Sequence, residues 1–118
     1  MKTFQGGDLK IDVSVTNSAV RLNWLGKSVA REPSRLLKPF FDGLAPYIVK
    51  TRELELDFRS FEFMNSSTIK PILTFVHAAS KDARKVNVKF DASKTWQRLS
   101  FGLLGALAKT WDNVTVEG

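Results

Sequence analysis

Four consecutive polar residues, Asn65, Ser66, Ser67 and Thr68, carry the side chains of this sequence that are best placed for chemistry. Asn and Ser are preferred at helix N-termini, because their side-chain oxygens accept hydrogen bonds from backbone N–H groups without a partner inside the helix. A serine hydroxyl there is also a favourable position for a phosphate, whose negative charge would meet the positive end of the helix dipole. The residues alone leave two interpretations open: a simple helix cap, or a loop that is modified.

The two segments that flank these residues differ in their hydrophobic period. Over residues 54–58 apolar side chains alternate with charged ones, which predicts a half-buried strand. After residue 68 the apolar residues recur at the spacing of an amphipathic helix, namely at Ile69, Ile72, Leu73, Val76, Ala79 and Ala83. Pro71 disfavours regular α-geometry just before it. We therefore expect a loose first helical turn that leaves Ser66 and Ser67 accessible.

The strand, the segment FMNSS at residues 63–67 and the following helix resemble the signature of the STAS domain of anti-sigma factor antagonists. That family usually has a hydrophobic pair followed by Asp, Ser, Ser and Gly, and a partner serine kinase phosphorylates the first Ser. Here Asn65 stands in the position of Asp, and Thr68 in that of Gly. The resemblance implies that Ser66 is phosphorylated and that a phosphatase reverses this modification.

The same resemblance implies a function in signalling: docking on a serine kinase or anti-sigma-type partner, with transcription as the regulated output. The surface that docks would comprise the loop and the start of the next helix, namely Asn65, Ser66, Ser67, Thr68 and Lys70. Asn65 is expected to cap the helix, and Phe63 and Met64 to be anchored in the core. Phosphorylation of Ser66 would add charge to this surface and weaken docking.

Length and composition limit the class of protein. A chain of 118 residues has room for one domain with a sizeable core, so residues 1–118 are predicted to form a single domain. The absence of cysteine excludes disulfides and any Cys-based nucleophile or metal ligand. No apolar run approaches the length of a membrane span, and the first ten residues lack the apolar core of a signal peptide. We expect a cytoplasmic protein without a membrane partner.

We find no constellation of residues typical of an enzyme or of a cofactor site. The sequence lacks a Gly-rich phosphate loop after a strand, a nucleophile elbow and a His-centred triad. His77 has no second ligand at metal-binding spacing and is interpreted as a solvated surface residue. Asp57 and Glu62 are interpreted as surface carboxylates. The sequence therefore predicts no catalysis, no metal and no cofactor.

Two alternatives to the switched signalling module remain. The net charge of +6 is compatible with nucleic-acid binding, but no aromatic residues are interleaved with a basic strand, as base stacking requires, so this is the weaker alternative. The other is a STAS-like structural subunit without a switch, which assembles through the very apolar last helix at about residues 94–111. That helix has more apolar side chains than one core stripe needs, and the surplus is available to a partner or to a second copy in a homodimer.

The order of elements predicts an α/β fold. Every predicted strand alternates apolar and polar residues, which indicates a sheet covered by helices on one face and polar on the other. Two N-terminal strands at about residues 9–15 and 20–24 are expected to form an antiparallel hairpin closed by Gly26, and the later strands to be parallel. We thus predict a single STAS-like domain with a mixed sheet and helices on one face. Pro39 is expected to kink or divide the first helix.

Overall fold

The computed structural model describes residues 3–118, which form seven strands and three α-helices. The strands are β1 (Phe4–Gly6), β2 (Leu9–Val15), β3 (Ala19–Ser28), β4 (Glu53–Asp57), β5 (Phe61–Met64), β6 (Lys85–Lys89) and β7 (Val114–Glu117). The helices are α1 (Pro33–Leu44), α2 (Ile69–Asp82) and α3 (Thr95–Ala108). Two short 3-10 turns, Ala45–Tyr47 and Ser66–Thr68, follow α1 and precede α2.

All seven strands belong to one mixed sheet, whose main order is β1-β2-β3-β4-β6-β7, with β5 beside β3. β2 is antiparallel to both of its neighbours, β1 and β3, and β3, β4, β6 and β7 run parallel. The predicted α/β class, the N-terminal antiparallel hairpin and the parallel later strands are confirmed. The short strands β1 and β5 are additional to those that the sequence pattern predicts.

The core lies on one side of the sheet, as the alternation of the strands predicts. Buried strand residues include Ile11, Leu22, Trp24, Leu54, Leu56, Val86 and Val88, and all three helices pack against this face. The opposite face carries charged side chains that pair across strands: Glu55 forms ion pairs with Arg21 at 3.8 Å and with Lys89 at 3.0 Å. Because only one face is covered, even the parallel strands keep a polar side.

Two strands share one side of β3, and a buried side chain bridges the place where they meet. β4 pairs with the first half of β3 and β5 with its last residues, so the chain interrupts the ladder between Asp57 and Phe61. Gln97 of α3 is fully buried here. Its Nε2 donates to the carbonyls of Phe58 (2.6 Å) and Phe61 (3.0 Å), and its Oε1 accepts from the N–H of Asp91 (2.8 Å). The side-chain amide thus adds hydrogen bonds to the backbone where the chain passes from β4 to β5.

Two predictions about the helices are wrong in detail. α1 is a single helix through Pro39, which lies on its exposed side, so the predicted division is wrong, while the alternative of a kink stays a prediction. Leu37, Phe41 and Leu44 form the buried side of α1, and Leu36 is exposed. α3 is shorter than predicted, since it ends at Ala108.

Gly26 does not close the hairpin. The turn between β2 and β3 is built by residues 16–18, with the N–H of Thr16 donating to the carbonyl of Ala19 at 2.8 Å. Gly26 lies inside β3 with φ of +76°, where the N–H of Lys27 donates to the carbonyl of Asp8. It is therefore a bend within a long strand, and a positive φ of this kind favours glycine.

Candidate functional site

The predicted loop is a single 3-10 turn, Ser66–Thr68, between β5 and α2. Ser66 and Ser67 are exposed, as expected from the loose first turn before Pro71. Thr68 is fully buried. Its side chain therefore shapes the turn, and as placed here it cannot contact a partner, contrary to the predicted contact set.

A chain of hydrogen bonds behind the turn ties it to the end of β3. The Oγ1 of Thr68 donates to the Oδ1 of Asn65 at 2.7 Å and lies 2.8 Å from the Oγ of Ser28. Since the single Thr68 proton is used by Asn65, Ser28 is the donor of the second bond. The Nδ2 of Asn65 donates to the carbonyl of Ala30 at 2.8 Å, and the N–H of Asn65 donates to the carbonyl of Ser28 at 2.9 Å.

This network changes the role expected for Asn65. Its side chain forms no capping bond with a backbone N–H of the turn or of α2, because its Oδ1 accepts from the Thr68 hydroxyl instead. The predicted side-chain cap is therefore wrong. Asn65 joins the turn to the segment before α1, and it is half-buried rather than presented to a partner.

The buried hydroxyl pair gives a stability prediction. We expect Thr68→Val to lower the free energy of unfolding by about 1–3 kcal/mol, because it leaves the Ser28 hydroxyl buried without an acceptor. Ser28→Ala removes the same bond from the other side, so in the double variant the two losses should not add. Urea unfolding of both single variants and the double variant measures this coupling. Additive losses would contradict the pairing.

The last two residues of β5 differ in their burial. Met64 is buried, as predicted, but Phe63 is 43% exposed, so its predicted anchoring in the core is wrong. The cause is an irregular register: Gly26 faces Phe61 and Lys27 faces Phe63, which leaves Glu62 without a partner in β3. The extra residue turns Phe63 outward, where its ring lies 6.2 Å from that of Trp96.

Beside the turn lies a groove between α1 and α2 with a volume of about 690 Å³. We call it the α1–α2 groove; its lining includes Phe41, Ala45, Ile48, Ser67, Lys70, Phe75 and Ala78. The rings of Phe41 and Phe75 stack at 4.1 Å, nearly parallel at 8°, and form part of an apolar floor. The sequence predicted Ser67 and Lys70 at the binding surface, and both line this groove.

The charges around the groove are unevenly distributed. At the end with Ser67, Arg31 and Lys70 are exposed and form no ion pair within residues 3–118. The start of α1 and the turn before α2 also lie there, so the positive ends of two helix dipoles add to these cations. Asp82, the last residue of α2, lines the groove about 18 Å further along the helix. The other charged lining residues pair with one another, Glu32 with Arg35 and Lys38 with Asp42. Among residues 3–118, the lining groups without an ion pair are therefore cations at one end of the groove and the Asp82 carboxylate at the other.

The remaining titratable residues form no second site in the described part of the chain. Asp57 accepts hydrogen bonds from the Arg59 side chain at 3.0 and 2.8 Å, and this bonding lowers the pKa of the Asp57 carboxyl. His77 is exposed and stacks on Trp111 at 4.6 Å. Residues 3–118 contain no group of three His, Cys, Asp or Glu side chains that could hold a metal ion. None of the helices described there is long and apolar enough to cross a membrane.

No protein-family model and no curated protein matches this sequence. Among solved structures, the chain is similar to the activator SiaC in the crystal structure of diguanylate cyclase SiaD in complex with its activator SiaC from Pseudomonas aeruginosa. The TM-score is 0.70 at 17% sequence identity, over 99% of this chain and 98% of that chain. The likeness shows the fold. The mixed sheet with its N-terminal hairpin is consistent with the STAS-like fold that the sequence predicted.

Proposed function

We propose that this chain is a regulatory protein-binding module without enzymatic activity, which docks on a partner protein through the Ser66–Thr68 turn and the neighbouring α1–α2 groove. The observation that carries the proposal is the meeting of two exposed hydroxyls with an apolar groove and unpaired cations. The similar solved structure supports it, since SiaC is there an activator in complex with a cyclase. The partner class expected from the sequence is a serine kinase or anti-sigma-type protein in the cytoplasm.

We further propose that phosphorylation of Ser66 switches this docking and that a phosphatase reverses it. Ser66 is exposed at the start of the turn that leads into α2, so a kinase can reach its hydroxyl without unfolding the turn. A phosphate there brings a charge of about −1.5 to −2 and strong acceptor oxygens into the docking surface. A partner whose surface complements the unmodified turn must then desolvate that charge, so docking weakens.

Mass spectrometry of the protein purified from its native cells tests the switch. We expect a phosphatase-sensitive gain of one phosphate, with fragment ions that place it on Ser66 rather than on the adjacent, equally exposed Ser67. Affinity capture then compares Ser66→Ala with Ser66→Asp. Because the Asp side chain adds negative charge at the docking surface, its partner recovery should fall about tenfold or more, whereas the Ala variant should bind constitutively.

Ser93→Asp is a matched control for the capture, since Ser93 is also exposed but lies in the loop before α3. It should leave partner recovery unchanged. An unmodified Ser66 in all growth and stress conditions, together with equal capture by the Ala and Asp variants, would exclude the switch.

A structural subunit without a switch is the second candidate, and the last helix favours it. Leu99, Leu103 and Leu107 recur every four residues and are 68%, 55% and 46% exposed, so they form an apolar row on the outer side of α3. Such a row suits a partner or a second copy of the chain. This candidate predicts that Ser66→Ala and Ser66→Asp bind their partner equally, so the same capture experiment separates the two candidates.

A further inference from the structure

We propose that the occupant of the α1–α2 groove is an amphipathic helix of the partner protein, which lies antiparallel to α1 and α2. Its C-terminal end would carry carboxylates and its N-terminal end a basic residue. This inference rests on the proposed docking function and specifies the secondary structure, direction and charge order of the segment that docks.

The walls of the groove favour a helix over an extended strand. Both walls are α-helices, whose internal backbone N–H groups are bonded within the helix, and Pro39 of α1 has no N–H to offer. An extended peptide would find no strand edge to pair with, and its own backbone groups would lose water without replacement. A helical segment satisfies its backbone internally and needs only apolar contacts from the groove.

The side chains of the groove suit the close approach of a helix. Thr74 and Ala78 are exposed small residues one turn apart on α2, and both line the groove. Small side chains on a wall let the axis of a third helix come within the usual packing distance of about 8–10 Å. Phe41 and Phe75 stack on each other in the lining and offer apolar contact to the leucine or methionine row of such a helix.

The uneven charge sets the direction. One end of the groove is positive, because Arg31, Lys70 and the starts of α1 and α2 lie there. Asp82 lies at the opposite end. A helix that runs antiparallel to α1 and α2 places the negative end of its dipole at the positive end of the groove. Carboxylates near its C-terminus would pair with Arg31 and Lys70, and a Lys or Arg near its N-terminus with Asp82.

This arrangement also explains how a phosphate on the turn would act. Ser67 lines the same end of the groove as Arg31 and Lys70, and Ser66 precedes it. A phosphate on Ser66 would compete with the partner's carboxylates for these two cations. The switch therefore operates by local competition for positive charge.

The test uses two synthetic, fluorescein-labelled helical peptides of about 16 residues, close to the length of α2. Both carry the same leucine row; one has Lys near the N-terminus and Glu near the C-terminus, and the other has the two charges exchanged. Fluorescence anisotropy with the full chain should show roughly five- to tenfold tighter binding of the first peptide, since each rim pair contributes little alone. Equal affinity of the two peptides, or no binding of either up to about 1 mM, would overturn the proposal.

Substitutions in the chain sharpen the test. Arg31→Glu combined with Lys70→Glu should invert the preference for the two peptides, whereas Arg98→Glu combined with Lys109→Glu, the same charge change on α3, should not. Ala78→Trp fills the groove and should abolish binding of both peptides, and Thr74→Arg serves as the second groove variant if the Trp variant does not fold. Binding that survives in a folded groove variant contradicts the assignment.

A failure of the helix-in-groove proposal can be distinguished from a failure of the proposed docking function. If the native partner is captured equally by the wild-type chain and by the folded groove variants, the chain is a docking module but the α1–α2 groove is not its docking surface. If light scattering shows that the groove variants change the oligomeric state, the occupant is a second copy of the chain and the helix of a partner is excluded.

Discussion

Gln97→Met should lower the free energy of unfolding by about 2 kcal/mol or more, because two backbone groups lose the side chain that bonds them and each such group costs about 1–3 kcal/mol. The methionine keeps the length and most of the volume of the side chain, so the loss reports the hydrogen bonds and not a cavity. The two groups are the carbonyl of Phe61 and the N–H of Asp91, whereas the carbonyl of Phe58 still accepts from the N–H of Phe61. Urea unfolding followed by circular dichroism measures the change.

Gln5→Met is the matched control, since Gln5 is exposed and its amide donates to the carbonyls of Gly7 and Leu9 at the surface. The same substitution there should change the free energy of unfolding by no more than about 0.5 kcal/mol. If Gln97→Met behaved like this control, the amide of Gln97 would not be what completes the sheet between β4 and β5.

Gly26→Ala is expected to have an effect of similar or greater size, about 3 kcal/mol or more, through the backbone. The φ of +76° disfavours any residue with a Cβ, and a Cβ added at this position would lie 2.0 Å from the carbonyl oxygen of Asp8. Because that atom belongs to the backbone, the start of β2 would have to move away from β3. Thermal unfolding measures the loss of stability, and hydrogen exchange of the β2 amides detects the displacement of β2 from β3.

Gly7→Ala separates the cost of a positive φ from the cost of the contact with the Asp8 carbonyl. Gly7 also has a positive φ, of 57°, but a Cβ there would have no heavy atom within 4 Å. Its substitution should lower the free energy of unfolding by only about 1–2 kcal/mol, the cost of holding a residue with a Cβ at a positive φ. Equal losses at the two glycines would show that the approach of Asp8 to Gly26 has no energetic consequence.

The sequence predicted the fold class well because period-two alternation and helical periodicity are local signals. The alternation of apolar and polar residues in every predicted strand indicated a sheet open on one face, and the structure places helices on only one side. The same local signals failed at β5, where the extra residue Glu62 breaks the alternation and turns Phe63 outward. A bulge depends on the register of the neighbouring strand, which a single segment does not encode.

The candidate site was predicted only in part, for the same reason. The positions of Ser66 and Ser67 at an exposed helix start follow from local pattern. The burial of Thr68 depends on Ser28, 40 residues away, and the groove floor depends on the stacking of Phe41 on Phe75. Contacts between residues so far apart in the chain arise from the packing of two βα units, so no spacing rule identifies Arg31 as a neighbour of Lys70.

The hydrogen-bond network behind the turn has a kinetic consequence. Ser28, Asn65 and Thr68 already hold the turn in one geometry before any partner arrives. Recognition then requires little ordering of the loop, and the entropic penalty of association is correspondingly small. A partner should bind in a single concentration-dependent step without a slow isomerisation, and a charge added at Ser66 should act mainly on how long the complex survives.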